Sequence, residues 1–326
     1  MQKLNQKPNF EFVAMMAALM SIVALAIDAI LPAISNIGIA INSTNPTDNQ
    51  LLVTMIFLGL GVGQLFFGPI SDSFGRKPVV YIGFVIFLLA SVICLYAPSM
   101  EIMVIGRILQ GIGLSAPRTI SISIIRDTYE GDYMAKVMSF VVAFFILVPV
   151  VAPAIGKLIL DAAGWKAIFY VQMFFVLVVA VWFWKRQKET LHPEYKIPFT
   201  RHVFVDGIKE FVKYKETVAF TLTSGLVTGA FLVYLSSAQH IFEDQYALKE
   251  MFPYIFAGLA VSIGLSTFLN GTLVMRFGMR RLSLMATIVF CVVALTYSIV
   301  FLNSPNPSIY VLVGFLSIQF FCLGFM

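Results

Sequence analysis

A chain of 326 residues that is 59% hydrophobic, 12% charged and of mean hydropathy +0.90 is not a water-soluble globule, in which about 25% of residues carry charge. Its net charge of +5 does not indicate a nucleic-acid ligand, because most of the bases lie in short segments beside apolar runs, where they set topology. The three cysteines, Cys94, Cys291 and Cys322, fall inside apolar runs and suggest packing residues, with no disulfide framework.

A membrane span needs about 20 mostly apolar residues. Ten runs meet that need, at roughly 12–35, 50–71, 78–97, 100–123, 134–156, 166–185, 216–237, 252–275, 281–302 and 308–326. Backbone groups in lipid must be satisfied within their own segment, so each run predicts a helix. The first run begins near Phe12, has the length of a span and lacks the small-residue pattern of a cleavable signal.

The first run carries Asp28, the one acid well inside an apolar span. An ionised carboxylate at mid-membrane costs about 2.5–3.5 kcal/mol on insertion scales. One reading is a site that binds and releases a proton or cation. The other is a packing acid ahead of Pro32, or one near enough to the outer interface to stay hydrated.

After the second run comes Gly68-Pro69-Ile70-Ser71-Asp72-Ser73-Phe74-Gly75-Arg76-Lys77, a tight turn with one acid and two bases. Cationic turns between spans mark the cytoplasmic side. The fourth run holds Arg107 and Arg118, eleven residues apart and so on one helix face, about 16 Å apart along the axis. Gln110 and Gly111 share that face. Arg107 and Asp28 lie at similar depth, which allows a pair or a shared cavity; snorkelling towards the interface is the alternative for each arginine. Arg126 and Asp127 close the fourth run. An Asp72–Arg126 bridge there would latch neighbouring helices; ordinary loop charge is the plainer reading. In the fifth run Pro149, Pro153 and Gly156 fall on one face, where proline kinks the helix and glycine admits a neighbour. That face is either a rocking seam or a static kink.

The segment 186–215 divides six spans (1–185) from the rest (216–326). Phe204, Ile208, Phe211 and Val212 recur in it at helical spacing among charges, as in an amphipathic helix on the membrane interface; a plain solvated linker has the same composition. Bases alternate onto the side holding the N-terminus and this segment, which assigns both to the cytoplasm. Gly271-(x)6-Gly278-Met-Arg-Arg echoes Gly68-(x)6-Gly75-Arg-Lys, so a six-span unit is used twice. The second unit reaches only its fourth span.

Gly68–Lys77 resembles the signature between helices 2 and 3 of the major facilitator superfamily. Arg107-Ile-Leu-Gln110-Gly111-Ile-Gly113 resembles its fourth-helix motif, and Ala152-Pro153-Ala-Ile-Gly156 resembles the antiporter motif Gly-Pro-x-x-Gly-Gly. Ala152 and Lys157 replace glycines of that motif, and Ser73 replaces a common arginine. Ala26-Ile-Asp28-Ala-Ile-Leu31-Pro32-Ala33, Ile125-Arg126-Asp127 and Gly164–Phe169 resemble drug:proton antiporters of the bicyclomycin/chloramphenicol resistance (Bcr/CflA) subfamily.

The resemblance implies an all-α integral membrane protein of the major facilitator fold: a complete six-helix N-terminal bundle and an incomplete C-terminal bundle of about four helices, from a C-terminally truncated chain. It implies a multi-pass monomer of the bacterial inner membrane that exports drug-like molecules against protons by alternating access, a multidrug efflux and antibiotic-resistance function. The proton is the coupling ion, and no cofactor, metal or nucleic acid takes part. By position, Asp28 is the proton acceptor, Arg107 modulates it, and Arg118 and Gln110 face the substrate cavity. Asp72, Arg76, Lys77 and Arg126 with Gly68 and Gly75 form the cytoplasmic latch.

A facilitator-type importer or metabolite exporter, or an inactive truncated scaffold, shares these features. A membrane-embedded enzyme does not, because His192, His202 and His240 do not cluster with acids inside any span. The chain has no Gly-x-x-x-x-Gly-Lys-Ser/Thr loop for ATP.

Overall fold

A computed structural model describes residues 9–43, 46–198, 208–209, 211–277, 279–303 and 307–325. Each of the ten apolar runs is helical. The first is broken in two: α1, Phe10–Asp28, and α2, Ile34–Ala40, are joined through a 3-10 turn at Leu31–Ala33. The break has a local cause. Pro32 has no N–H to offer the Asp28 carbonyl four residues back, and its ring crowds that carbonyl.

The chain continues as α3 (Leu51–Phe74), α4 (Arg76–Leu95), α5 (Met100–Thr128), α6 (Gly131–Ala163) and α7 (Trp165–Arg186). The second half holds α8 (Lys215–Gln239, extended by a π-helical turn at His240–Gln245), α9 (Phe252–Phe277), α10 (Met279–Asn303) and α11 (Ile309–Leu323). Eight described helices are long and apolar enough to cross a membrane, and α6 makes nine when its two arms count as one span. With α11, shorter at 15 residues, all ten runs are accounted for.

The arms of α6 bend by 41° between Pro149 and Val151. Pro153 cannot donate to the Pro149 carbonyl, so the helix loses a rung where it bends.

Helix α1 is the axis of the first half. Its span is 83% buried, against 6% for those of α8 and α10, and it packs on α5, α6 and α7. Glycines bring backbones together where helices cross. A Cβ at Gly111 would overlap the Ile56 carbonyl of α3, one at Gly59 the Ile108 carbonyl of α5, and one at Gly156 the Ala29 carbonyl at the end of α1.

The expected interfacial helix at 204–213 lies largely outside the described residues, as does Gly278 of the second-half echo. Cys94 and Cys322 are buried as expected; Cys291 is exposed on α10.

Candidate functional site

A cavity of about 420 Å³ lies between the halves. Helix α1 contributes Asp28, α3 contributes Phe57 and Gln64, α5 contributes Arg118, and α6 contributes Phe145 and Pro149. From the second half come Thr228 and Phe231 of α8, Phe256 of α9 and Phe320 of α11. Seven helices thus surround one apolar space that contains one acid and one base.

Asp28 is only 3% exposed, and its Oδ1 has no hydrogen-bond partner among the described residues. It sits on the last turn of α1, at the break made by Pro32. Arg118 lies with its guanidinium 5.8 Å from the Phe145 ring centroid, a cation–π geometry.

Arg107 is elsewhere. It is fully buried and spends its donors on structure: Nε to the Leu52 carbonyl of α3 at 2.6 Å, one terminal nitrogen to Gln110 Oε1 at 2.7 Å, the other to the Ala26 carbonyl of α1 at 3.2 Å. Gln110 passes the chain on, its amide donating to Ser91 Oγ of α4 at 2.7 Å. Neither residue lines the cavity, so the expectation that Gln110 faces substrate is corrected. No ion pair joins Asp28 to Arg107. The two arginines do share a face of α5, but three helical turns of depth separate a structural tie from a cavity residue. Of the second-half polar groups at cavity depth, Thr228 is a lining residue, whereas Tyr234 packs edge-on against Phe320.

The α3–α4 turn forms a second site. Gly75 takes φ +109°, a conformation side chains rarely adopt. Arg76, 4% exposed, donates to Ser71 Oγ at 2.7 Å, to Asp72 and to Asp127 Oδ2 at 2.9 Å. The expected Asp72–Arg126 bridge is therefore replaced: Arg76 takes Asp72 itself and reaches α5 through Asp127, while Arg126 is exposed. Lys77 Nζ donates to the Trp184 carbonyl at 3.4 Å. The Gly68 carbonyl accepts from Ser71 Oγ at 2.8 Å.

Sequence reading missed the keystone of this turn. Glu189, just beyond α7, accepts from the N–H groups of Arg76 (2.9 Å) and Lys77 (3.0 Å), which open α4, and from those of Thr190 and Leu191. Burial raises its pKa, but the four backbone donors outweigh it and hold the carboxyl below its usual range. Thr190 donates to Asp127 at 3.2 Å, and Ile197 N–H to the Asp72 carbonyl at 3.2 Å. The signal available in the sequence was an acid three residues past a basic helix end.

At the opposite end, polar contacts cross between halves: Lys157 to Glu250 (3.6 Å), Gln239 to Ser35 (3.2 Å) and Ser237 to Gln50 (3.4 Å). Among the described residues no group of three or more His, Cys, Asp or Glu side chains could hold a metal ion.

The sequence model of the Major Facilitator Superfamily matches residues 13–326. The chain is 28% identical over 275 residues to a bicyclomycin resistance protein homolog of Haemophilus influenzae, covering 84% of this chain and 69% of that protein. It is 31% identical over 256 residues to the MFS-type transporter YdgK of Bacillus subtilis, covering 78% and 63%. To the multidrug resistance protein MdtL of Salmonella paratyphi C it is 31% identical over 164 residues, 50% of this chain and 41% of that one. The chain thus spans between 41% and 69% of the length of these relatives. Among solved structures, the proton:xylose symporter XylE superposes with a TM-score of 0.71 at 16% identity, over 97% of this chain and 78% of that one. A bacterial homolog of the human lysosomal transporter Spinster does so at 0.69 and 17%, over 98% and 74%. At such identities the likeness shows the fold alone.

Proposed function

Because the chain belongs to the major facilitator superfamily, we propose that it is a secondary transporter that exports drug-like molecules in exchange for protons by alternating access. Its place in that family makes it a multi-pass membrane transporter and not an enzyme. The names of the relatives from H. influenzae and S. paratyphi C support drugs as cargo. The observation that carries proton exchange is Asp28: a buried carboxyl with an unpartnered oxygen, in a cavity walled by both halves.

The mechanism follows from competition. A neutral Asp28 suits an apolar cavity; an ionised one needs a partner there. Substrate that satisfies the carboxylate favours proton loss, and proton binding favours substrate release. A proton moving inward gains about 2.3 kcal/mol per 100 mV, which drives uphill export when both ligands share one conformational cycle. Arg107 holds the frame around Asp28 through the Ala26 carbonyl, and Arg118 faces the cargo. The turn with Arg76, Lys77, Asp72, Asp127 and Glu189 is the cytoplasmic latch, with the N-terminus on the same side and the inner membrane as its setting. The bent, glycine-bearing α6 with Pro149, Pro153 and Gly156 is the seam on which the halves rock.

The test is drug accumulation in efflux-deficient cells expressing the wild-type protein or Asp28→Asn. Wild type lowers accumulation until an uncoupler collapses the proton gradient, and Asp28→Asn does not lower it. Normal export by Asp28→Asn under a proton gradient overturns the role of Asp28. Gradient-driven uptake instead of export replaces the exporter with an importer.

A further inference from the structure

We infer that the cavity selects neutral amphiphiles bearing a hydrogen-bond acceptor for Arg118 and a donor for Asp28, and turns away lipophilic cations, with Arg118 as the residue that sets this specificity. The inference rests on the transport reading above and narrows its cargo.

Arg118 lines the cavity and keeps the five N–H donors of a guanidinium, a group that stays charged. Among the described residues it makes no ion pair, and the ring of Phe145 is what it meets. The other ionisable group in the lining is Asp28. Arg107, the neighbouring charge on α5, has its donors bonded to two carbonyls and Gln110 and presents nothing to cargo. The remaining wall is mostly aromatic and aliphatic, with Gln64 and Thr228 as further polar groups.

Three ligand classes behave differently in such a space. A lipophilic cation could pair with ionised Asp28, but it would share an apolar, weakly screening cavity with the fixed charge of Arg118. An anion would pair with Arg118 best when Asp28 is protonated, so it would carry a proton in its own direction, which opposes exchange. A neutral molecule that donates to the Asp28 carboxylate and accepts from Arg118 satisfies both groups and displaces the proton. Its apolar body meets a wall that includes Phe57, Phe231 and Phe320.

The experiment measures equilibrium binding to the purified full chain, by calorimetry, for three probes on one ring system: N-hydroxyethyl naphthamide (neutral), naphthylmethyl trimethylammonium (cation) and naphthoate (anion). Proton release is followed with a pH dye in weak buffer. The expected result is that the neutral probe binds at least about tenfold more tightly than the cation and releases protons on binding. Arg118→Gln weakens the neutral probe by roughly tenfold or more, the scale of a lost hydrogen bond to a charged group, and strengthens the cation. Arg118→Lys, which keeps the charge, keeps the ranking. A cation that binds as tightly as the neutral probe, a naphthoate that binds most tightly with proton uptake, or a ranking unmoved in Arg118→Gln overturns the inference. Should Arg118→Gln not yield folded protein, the wild-type ranking decides. Because the readout is binding, loss of this ranking leaves export under Asp28 control standing, and failure of export leaves the ranking standing.

Discussion

At the scale of single residues, two arginines on one helix face have opposite fates. Arg107 is committed to backbone carbonyls of two other helices and to Gln110; Arg118 has no such commitment. Removing Arg107 forfeits three buried hydrogen bonds and strips Gln110 Oε1 of its donor, and a buried group left without its partner costs about 1–3 kcal/mol. Arg107→Met is therefore expected to lower the melting temperature of the detergent-purified protein markedly, whereas Arg118→Met leaves it nearly unchanged. Equal melting shifts for the two variants would refute the division. The helix face of these arginines was legible from their eleven-residue spacing. Their partners were not, because Ala26 and Leu52 act through carbonyls that every residue owns.

At the scale of elements, proline and glycine decide where helices break and touch. Pro32 ends α1 at Asp28, and the sequence marks that position openly. Gly156 then lays α6 against the Ala29 carbonyl just past the break. Gly156→Leu has no room, and overpacking of this kind costs about 1–3 kcal/mol; lower expression and lost export are expected, with Gly225→Leu on α8, where a Cβ meets open space, as the tolerated control.

The strap beyond α7 is a second element-scale device. Glu189 is held below its usual pKa, so its stabilising effect is fully present above the ordinary glutamate value, about 4.3, and is lost as pH falls through the lower folded-state value. Hydrogen exchange at Arg76 and Lys77 N–H should rise in Glu189→Ala at neutral pH, and in wild type only under acid. Equal protection in Glu189→Ala would dismiss the strap. Sequence reading paired Asp72 of this turn with Arg126, whereas it is Arg76 that takes Asp72. The partner of the Arg76 and Lys77 backbone N–H groups, Glu189, lies more than a hundred positions away in sequence, and a carboxylate that caps a helix through N–H groups leaves no pattern of charges to match.

At the scale of the molecule, the two halves meet through polar contacts at the end away from Arg76. Lys157 stands where the resembling antiporter motif carries glycine, and the structure gives that departure a contact: the amine reaches Glu250 across the halves and Asp161 on its own helix. Glu250 is 81% exposed, and exposed pairs contribute about 0.2–1 kcal/mol. Lys157→Gln should then shift the closed-to-open balance by only about 1.5- to 5-fold. The measurement is labelling of Thr228→Cys, in a background without native cysteines, by a membrane-impermeant maleimide applied from that end. Faster labelling in Lys157→Gln is expected, and an unchanged rate would exclude Lys157 from the closure. The ten helices were readable from hydropathy alone. Which contacts join the halves at this end was not, because they link residues far apart in sequence that share no local pattern.

The crossing of α3 and α5 has a mechanical consequence. With Gly59 and Gly111 face to face, main chain rests on main chain and no rotamers lie in the joint to give way under load. Such a hinge-free weld transmits a push at one helix to the other without slack. Any side chain inserted there would act as a shim, prising α3 from α5 and displacing the guanidinium of Arg118 that α5 presents to the cavity.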